Sequence, residues 1–85
     1  MMPTLLNKDG FRFFFYANDH LPRHVHWIGH GGEIKIILKN LELVHNFAMK
    51  TNDLKRALKI VEVNRLSFMG QWDEFFEEWY KLNQT

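Results

Sequence analysis

The side chains best suited to chemistry lie in one short segment, from Asp19 to His26, which holds three histidines at positions 20, 24 and 26. Strand side chains alternate between the two faces of a sheet, so His24 and His26 share a face if this segment is a strand. Imidazole is the commonest metal ligand and also exchanges protons near neutral pH. Three hypotheses follow: a metal site, an acid–base site, or a structural cluster that docks a partner.

A metal site would use two imidazole nitrogens, from His24 and His26, on one strand face. It would take a divalent metal of the zinc or nickel type, since imidazole suits both ions. Two ligands are not enough for a stable site, and His20 is the third ligand that we predict first. The full set of candidates for this third position is His20, Asp19, Glu33 and His30.

Metal-free acid–base chemistry would assign catalysis to His20, His24, His26 and Lys35. Paired histidines would exchange protons, while Lys35 or Arg12 would stabilise developing negative charge. RNA cleavage suits these groups, because the 2′-hydroxyl would supply the nucleophile in a chain without cysteine. The residue types alone leave open whether the protein is an enzyme.

A structural role is the third hypothesis. Asp19 would cap a turn, Pro22 would constrain the loop, and the histidines would hydrogen-bond to the backbone or pack as amphipathic strand residues. The protein would then be a noncatalytic module that binds a partner protein through this sheet face. Three histidines at alternate positions, with Pro22 between them, are harder to assign wholly to packing, so the chemical hypotheses keep equal standing.

The elements that would position this segment form an antiparallel meander of three or four strands. The predicted strands are residues 11–17, 24–28 and 33–38, with a short fourth strand at 41–45. The glycine-rich turn at 29–32 predicts that His26 pairs with Lys35 and His24 with Ile37. Val25 and Trp27 then belong to the opposite, apolar face.

The register of the first strand stays open, because the loop at 18–23 is too long to determine it. Either Phe13 and Phe15 share the histidine face, or Arg12, Phe14 and Tyr16 do. The second register would gather a larger set of binding residues around the histidines. These are Arg12, Tyr16, Asp19 and Glu33.

The hydrophobic period changes to helical spacing after residue 50, which predicts an α+β fold with C-terminal helices packed on one sheet face. Asn64, Ser67 and Gly70 are weak helix formers, so we expect two helices, 52–65 and 67–81, or one kinked helix. Phe68, Trp72, Phe75 and Trp79 form an aromatic stripe on the second helix. This stripe would cover the sheet or, alternatively, form an interface, either with a second copy in a homodimer or with a partner protein.

Composition limits the class of protein. A chain of 85 residues has room for one domain, residues 1–85. The absence of cysteine and of a secretion signal predicts a cytoplasmic protein. We expect no membrane span, because no stretch reaches about 18 apolar residues. The formal net charge of +1 does not by itself indicate a nucleic-acid partner.

The sequence also resembles a known family over nearly its whole length. The most specific match is His20-x-Pro22-x-His24-Val25-His26, within the block from Phe13 to His26. This block resembles the small prokaryotic family catalogued as domain of unknown function 4160. Three further segments resemble the same family: the starting residues Met2-Pro3-Thr4-Leu5, the strand residues Gly32-Glu33-Ile34-Lys35, and the segment Glu62 to Phe76 with Asn64-Arg65 and Trp72-Asp73-Glu74-Phe75-Phe76. Lys50 and Gly70 depart from the pattern, where a Ser-type helix cap and a helix former are common, and neither touches the histidines.

The resemblance implies a genetic context. Members of this family are typically encoded beside a second small protein of another uncharacterised family, which resembles a toxin–antitoxin or similar two-gene module. It therefore implies a small partner protein encoded nearby and, in combination with the histidines, action on RNA. This implication is an association and not a mechanism.

Overall fold

The computed structural model of the protein describes residues 4–82, except for the side chains of residues 79 and 80. Its elements are β1 (Thr4–Lys8), β2 (Phe11–Phe14), β3 (His24–Gly29), β4 (Gly32–Ile37), β5 (Leu43–Phe47) and α1 (Thr51–Leu82). The strands form one antiparallel sheet in the order β1-β2-β3-β4-β5. The predicted α+β class and meander are confirmed, but the sheet has five strands where three or four were predicted.

The additional strand is β1, which pairs with β2 through a two-residue turn. Asp9 and Gly10 both have positive φ, at 55° and 81°, and Lys8 pairs with Phe11 across them. Two residues with positive φ make the turn type whose twist matches that of paired strands, and Asp-Gly is a preferred sequence for it. The Asp-Gly pair therefore makes a hairpin, and the residues before it become a strand.

The β3–β4 hairpin has the register that the sequence predicts. His26 pairs with Lys35 and His24 with Ile37, while His30 and Gly31 form the turn with φ of 49° and 84°. The fourth predicted strand is present but begins two residues late, as β5. Leu41 adopts a positive φ of 60° and so belongs to the turn that precedes the strand.

The register between β2 and β3 resolves the open alternative. Phe13 pairs with Trp27 and Phe14 with His26, so Arg12 and Phe14 share the histidine face. Phe13 lies on the opposite face, where it is fully buried. The structure therefore has the second of the two predicted registers, in which Arg12 and Phe14 lie on the same face as the histidines.

The chain forms one continuous helix through residues 65–70, so of the two predicted alternatives the pair of separate helices is wrong. Asn64 donates its Nδ2–H to the carbonyl of Ile60 at 2.8 Å, and the Ser67 hydroxyl accepts from Gln71 at 3.1 Å, so both polar side chains are accommodated within the helix. Gly70 costs about 1 kcal/mol relative to alanine. Burial of Phe68 and Trp72 on either side contributes more, about 1.5–3 kcal/mol for each large apolar side chain.

The core lies between α1 and the sheet face that carries Val25 and Trp27, as predicted for these two residues. The aromatic stripe contributes Phe68 and Trp72 to this buried layer, while the side chain of Trp79 lies outside the described residues. The remaining sheet and helix residues of the core cluster are Phe11, Phe13, Ile34, Ile36, Leu38, Ala57, Ile60 and Val61. Within residues 4–82, no helix is both long enough and apolar enough to cross a membrane.

Candidate metal centre

The loop between β2 and β3 is folded around the carboxylate of Asp19. The backbone N–H of Tyr16 donates to Asp19 Oδ2 at 2.7 Å, and the backbone N–H of Asp19 donates to the Tyr16 carbonyl at 3.0 Å. This reciprocal turn is a local pattern that Asp favours, because its short side chain reaches the backbone nearby. It holds Oδ2 at a defined place beside the start of β3.

His24 is the most buried of the site residues, with 2% of its surface exposed. Its ring lies 5.0 Å from that of Trp72, which reaches it from α1. Nδ1 of His24 lies 2.8 Å from the carbonyl oxygen of Pro22. A carbonyl oxygen only accepts, so Nδ1 must carry the hydrogen, and in the neutral ring Nε2 is left with its lone pair.

That lone pair is close to a carboxylate but is not aligned with it. Nε2 of His24 lies 3.1 Å from Asp19 Oδ2, but it has no aligned hydrogen-bond partner in the protein. In the neutral ring both atoms are acceptors, so their contact is repulsive unless a proton or a metal cation lies between them. Buried polar atoms without a hydrogen-bond partner are uncommon in proteins. We therefore expect a proton or a metal ion to bind at His24 Nε2.

His26 completes the arrangement from the next position on the same strand face. Its Nε2–H donates to the same Asp19 Oδ2 at 3.2 Å, and its ring packs against those of Tyr16 and Phe14 at centroid distances of 4.8 and 5.3 Å. Burial lowers the pKa of His26, and the charges of His24 and Lys35 act in the same direction, whereas Asp19 opposes them. The neutral ring that a metal requires is thereby favoured.

Two of the three spacings among the ligand atoms, those from each histidine nitrogen to the Asp19 oxygen, match the spacing of ligands around one ion. Within the described residues, Asp19, His24 and His26 each offer one ligand atom, and these atoms all lie within 4.8 Å of one another. Two ligands at about 2.0–2.1 Å from zinc lie about 2.9 Å apart at a right angle and about 3.3 Å apart at the tetrahedral angle. The two nitrogen-to-oxygen distances here, 3.1 and 3.2 Å, fall inside that range.

The other predicted residues surround this centre at different distances. Lys35 pairs with His26 across the ladder, and Glu33 pairs with Ile28 one step further along the same face. Tyr16 contributes both its ring and its backbone N–H. Arg12 lies toward the other end of β2, where its Nε donates to the Thr4 hydroxyl at 3.0 Å and its guanidinium lies over the Phe14 ring.

His20 is the predicted ligand that the loop does not bring into the group. It is exposed and lines an open groove of about 660 Å³ between the loop and α1, together with Asp19, Leu21, Trp72, Asp73 and Phe76. Asp19 therefore lies between the two histidines on one side and this groove on the other. His30 is further away in the fold, where its ring packs against Phe11 at an angle of 42° and its Nδ1 lies 3.4 Å from Asp53.

Three groups of the site were not identified from sequence: the Pro22 carbonyl, the Tyr16 amide and the Trp72 ring. The Pro22 carbonyl and the Tyr16 amide are backbone groups, which the residue types do not reveal. Asp19 was a candidate ligand, but the spacing Asp19-x-x-x-x-His24 gives no signal of its own, because the distance between the two side chains depends on the conformation of the loop. Trp72 reaches His24 from a position 48 residues later in the chain, and only the helix packing brings them together.

Comparison with known proteins gives one match. No curated protein and no solved structure is significantly similar to the chain. A family model described as Domain of unknown function (DUF4160) matches residues 10–73, which is 64 of the 85 residues and includes Asp19, His24 and His26. The chain therefore belongs to the family known as Domain of unknown function (DUF4160).

Proposed function

We propose that the protein binds one divalent transition-metal ion through Asp19 Oδ2, His24 Nε2 and His26 Nε2. The observation that carries this proposal is the buried Nε2 of His24, which lies 3.1 Å from a carboxylate oxygen and yet has no aligned hydrogen-bond partner. The Pro22 carbonyl holds the other ring nitrogen in its donor form. Metal-binding histidines generally donate their second ring N–H to such a group, which orients the ring.

The ligand set favours zinc, nickel or iron(II) over magnesium or calcium. Two imidazoles and one carboxylate form the arrangement found in open metal sites, whereas magnesium and calcium prefer oxygen ligands alone. His26 would bind through Nε2 after its hydrogen moves to Nδ1. The Tyr16 amide stabilises the carboxylate by donating to Oδ2 at 2.7 Å.

Metal-free acid–base catalysis fits the same residues less well. A catalytic base must come within about 2.6–3.2 Å of the proton that it removes from the substrate. His24 is 2% exposed, and Nε2 of both histidines faces the same carboxylate oxygen of the protein. Binding of an ion requires no such approach of a substrate to His24.

Isothermal titration with zinc chloride tests the proposal, using chelator-treated protein that carries no histidine tag. We expect one ion per chain in the wild type. His24→Gln, His26→Gln and Asp19→Asn should each weaken binding more than about 100-fold, since loss of an outer partner alone costs about 10- to 100-fold. Asp19→Asn retains an oxygen that can accept from the Tyr16 amide.

The matched control is His45→Gln, because His45 is an exposed histidine on β5 that is absent from the ligand group. It should bind zinc like the wild type. Circular dichroism of every variant establishes that the fold is retained. A wild-type protein that binds none of zinc, nickel or iron(II), or one whose affinity follows His45 instead of His24, would contradict the proposal.

We further propose that the metal centre serves a cytoplasmic two-gene module of the toxin–antitoxin type, acting on RNA from the histidine face. Support comes from the family membership and from the open groove beside Asp19, which gives a substrate access to one side of the site. A partner protein encoded nearby would cover this face in the inactive complex. The alternative is a noncatalytic module that docks its partner through the same face.

Expression of the protein with and without the adjacent gene separates these alternatives. Growth arrest that needs Asp19 and His24 and is relieved by the neighbour would support the toxin hypothesis. Equal growth for the wild type and for the variant His24→Gln, with intact zinc binding in the wild type, would reject the toxin role while leaving the metal site in place. Loss of neighbour binding in that variant would then favour docking.

A further inference from the structure

The outward face of α1 carries apolar residues that the fold does not use. Val63 and Leu66 are 72% and 78% exposed, although they lie in the middle of the helix. Residues at steps of three, four and seven lie on one helix face. We define the outer face as the exposed residues aligned with Leu66: Lys55, Lys59, Glu62, Val63, Leu66, Gly70, Asp73 and Glu77.

Gly70 is a second unexplained feature of this face. A Cβ built at this position would meet nothing within 4 Å, so no contact inside the chain requires glycine there. Glycine in a helix interior costs about 1 kcal/mol relative to alanine. Gly70 lies one helical turn after Leu66 and leaves the backbone there uncovered by any side chain.

Charge is distributed unevenly along the outer face. Its N-terminal half carries Lys55, Lys59 and Glu62. Its C-terminal half carries Asp73 and Glu77, which within the chain pair with Arg23 and Lys81. Lys59 and Asp73 each lie seven positions from Leu66, and Lys55 and Glu77 each lie eleven positions from it. The face is therefore self-complementary about Leu66 when a second copy runs in the opposite direction.

We propose that the protein forms a homodimer through this face, with two α1 helices packed antiparallel about a two-fold axis at Leu66. Leu66 would contact Leu66 of the second copy, and Glu62 would lie near Gly70 of that copy. Each lysine would face an acidic residue, and the two-fold axis produces every such pair twice. A parallel pairing would place like charges opposite each other, which is unfavourable.

Other occupants fit the face less well. A partner of uniform charge would be attracted to one half of the outer face and repelled by the other. The aromatic stripe, an alternative dimer surface, has Phe68 and Trp72 in the core. A second copy of the chain carries the complementary arrangement of charges when it runs in the opposite direction.

Dimerisation would also affect the surroundings of the metal centre. Asp73 lines the groove that borders Asp19, and it pairs with Arg23 at 2.7 Å. In the antiparallel dimer, Lys59 of the second copy would reach the same rim. Each groove would then receive a cationic group from the other subunit.

Sedimentation velocity over about 1 to 200 μM tests the dimer, because self-association depends on concentration. The wild type should dimerise, and about 1 M sodium chloride should weaken association, since the Debye length falls to about 3 Å. Leu66→Glu should weaken association at least about 100-fold by placing two like charges on the axis. Leu82→Glu is the matched control, because Leu82 is 83% exposed on the opposite side of the helix.

Charge reversal tests the antiparallel register. Lys55→Glu and Glu77→Lys should each weaken association about tenfold, since each change appears twice in the dimer. The double variant should regain most of the wild-type affinity, whereas Glu78→Lys, which lies one residue around the helix, should change little. A wild type that is monomeric throughout, or a dimer insensitive to Leu66→Glu, would overturn the proposal, and failure of the double variant to recover would overturn the register.

Discussion

At the scale of single residues, His24 and His26 differ although they share a strand face. Nδ1 of His24 is held by the Pro22 carbonyl, and its ring is enclosed by Trp72. His26 is more exposed and donates to Asp19 through Nε2. The two rings thus have different tautomers in the absence of metal, and only His24 has an Nε2 lone pair free beside the carboxylate.

The lowered pKa of His26 leads to a prediction about acid stability. Its ordinary pKa is 6.5, and burial is the main cause of its lower value in the folded protein. The unfolded chain therefore takes up this proton at a higher pH than the folded chain does. Stability due to neutral His26 is present above about pH 6.5 and is lost as the pH falls through the folded pKa.

Urea unfolding of the metal-free protein between about pH 8 and about pH 5 measures this effect. The free energy of unfolding should fall more steeply with decreasing pH in the wild type than in His26→Gln, which has no proton to take up at this position. Parallel curves for the two proteins would contradict the assignment. His45→Gln controls for the loss of an exposed histidine.

At the scale of elements, the hairpins and the long loop are determined in different ways. The turns Asp9-Gly10 and His30-Gly31 are local, and their positive φ values follow from residues that tolerate this conformation. No local sequence pattern of this kind predicts the conformation of the loop from residue 15 to residue 23. It takes its shape from the Asp19 turn and from packing of Phe15 against Trp72, Phe75 and Phe76.

Two glycines should respond in opposite ways to substitution by alanine. Gly70→Ala should raise the free energy of unfolding by about 1 kcal/mol, because the position is helical and open. Gly29→Ala should lower it by about 2 kcal/mol, because the new Cβ would meet the Phe11 ring and lie 2.8 Å from the Gly10 carbonyl oxygen. Urea denaturation at low protein concentration measures both. Equal changes in the free energy of unfolding at the two positions would contradict the inference that position 70 is open and position 29 is crowded.

At the scale of the whole molecule, α1 determines which side of the sheet is covered and where the site is closed. Arg65 occupies a position in the helix where an apolar residue would continue the buried stripe. It reaches instead to the end of β4, donating from Nε to the Leu38 carbonyl at 2.6 Å and from a terminal nitrogen to the Lys39 carbonyl at 2.8 Å. This contact fixes the helix along the sheet and so places Trp72 against His24.

Arg65→Met should therefore destabilise the protein by about 2 kcal/mol, since hydrogen bonds from a charged donor contribute about 1.5–3 kcal/mol and this side chain is only half-buried. Arg23→Met removes the exposed pair with Asp73 and should cost less than about 1 kcal/mol. Thermal and urea unfolding give both values. If the Arg23 variant were the less stable of the two, Arg65 would not be the main attachment of the helix.

The sequence alone determined the class of the fold, the β3–β4 register, the shared face of His24 and His26, and the burial of Val25 and Trp27. These features depend on local turn chemistry and on the alternation of side chains along a strand, both of which are readable over a few residues. The Asp9-Gly10 hairpin carried an equally local signal, and β1 was predictable from it.

Only the tertiary structure decided the register of β2, the continuity of α1, and the choice of Asp19 over His20 beside the two histidines. Each depends on contacts between distant parts of the chain: Phe14 with His26, Phe68 with Phe13, and Trp72 with His24. The free energy of such packing exceeds the local preferences of Asn64, Ser67 and Gly70, so residue propensity gave the wrong prediction there. The orientation of a loop carboxylate has the same origin, because backbone groups and packing, which have no sequence signature, hold it in place.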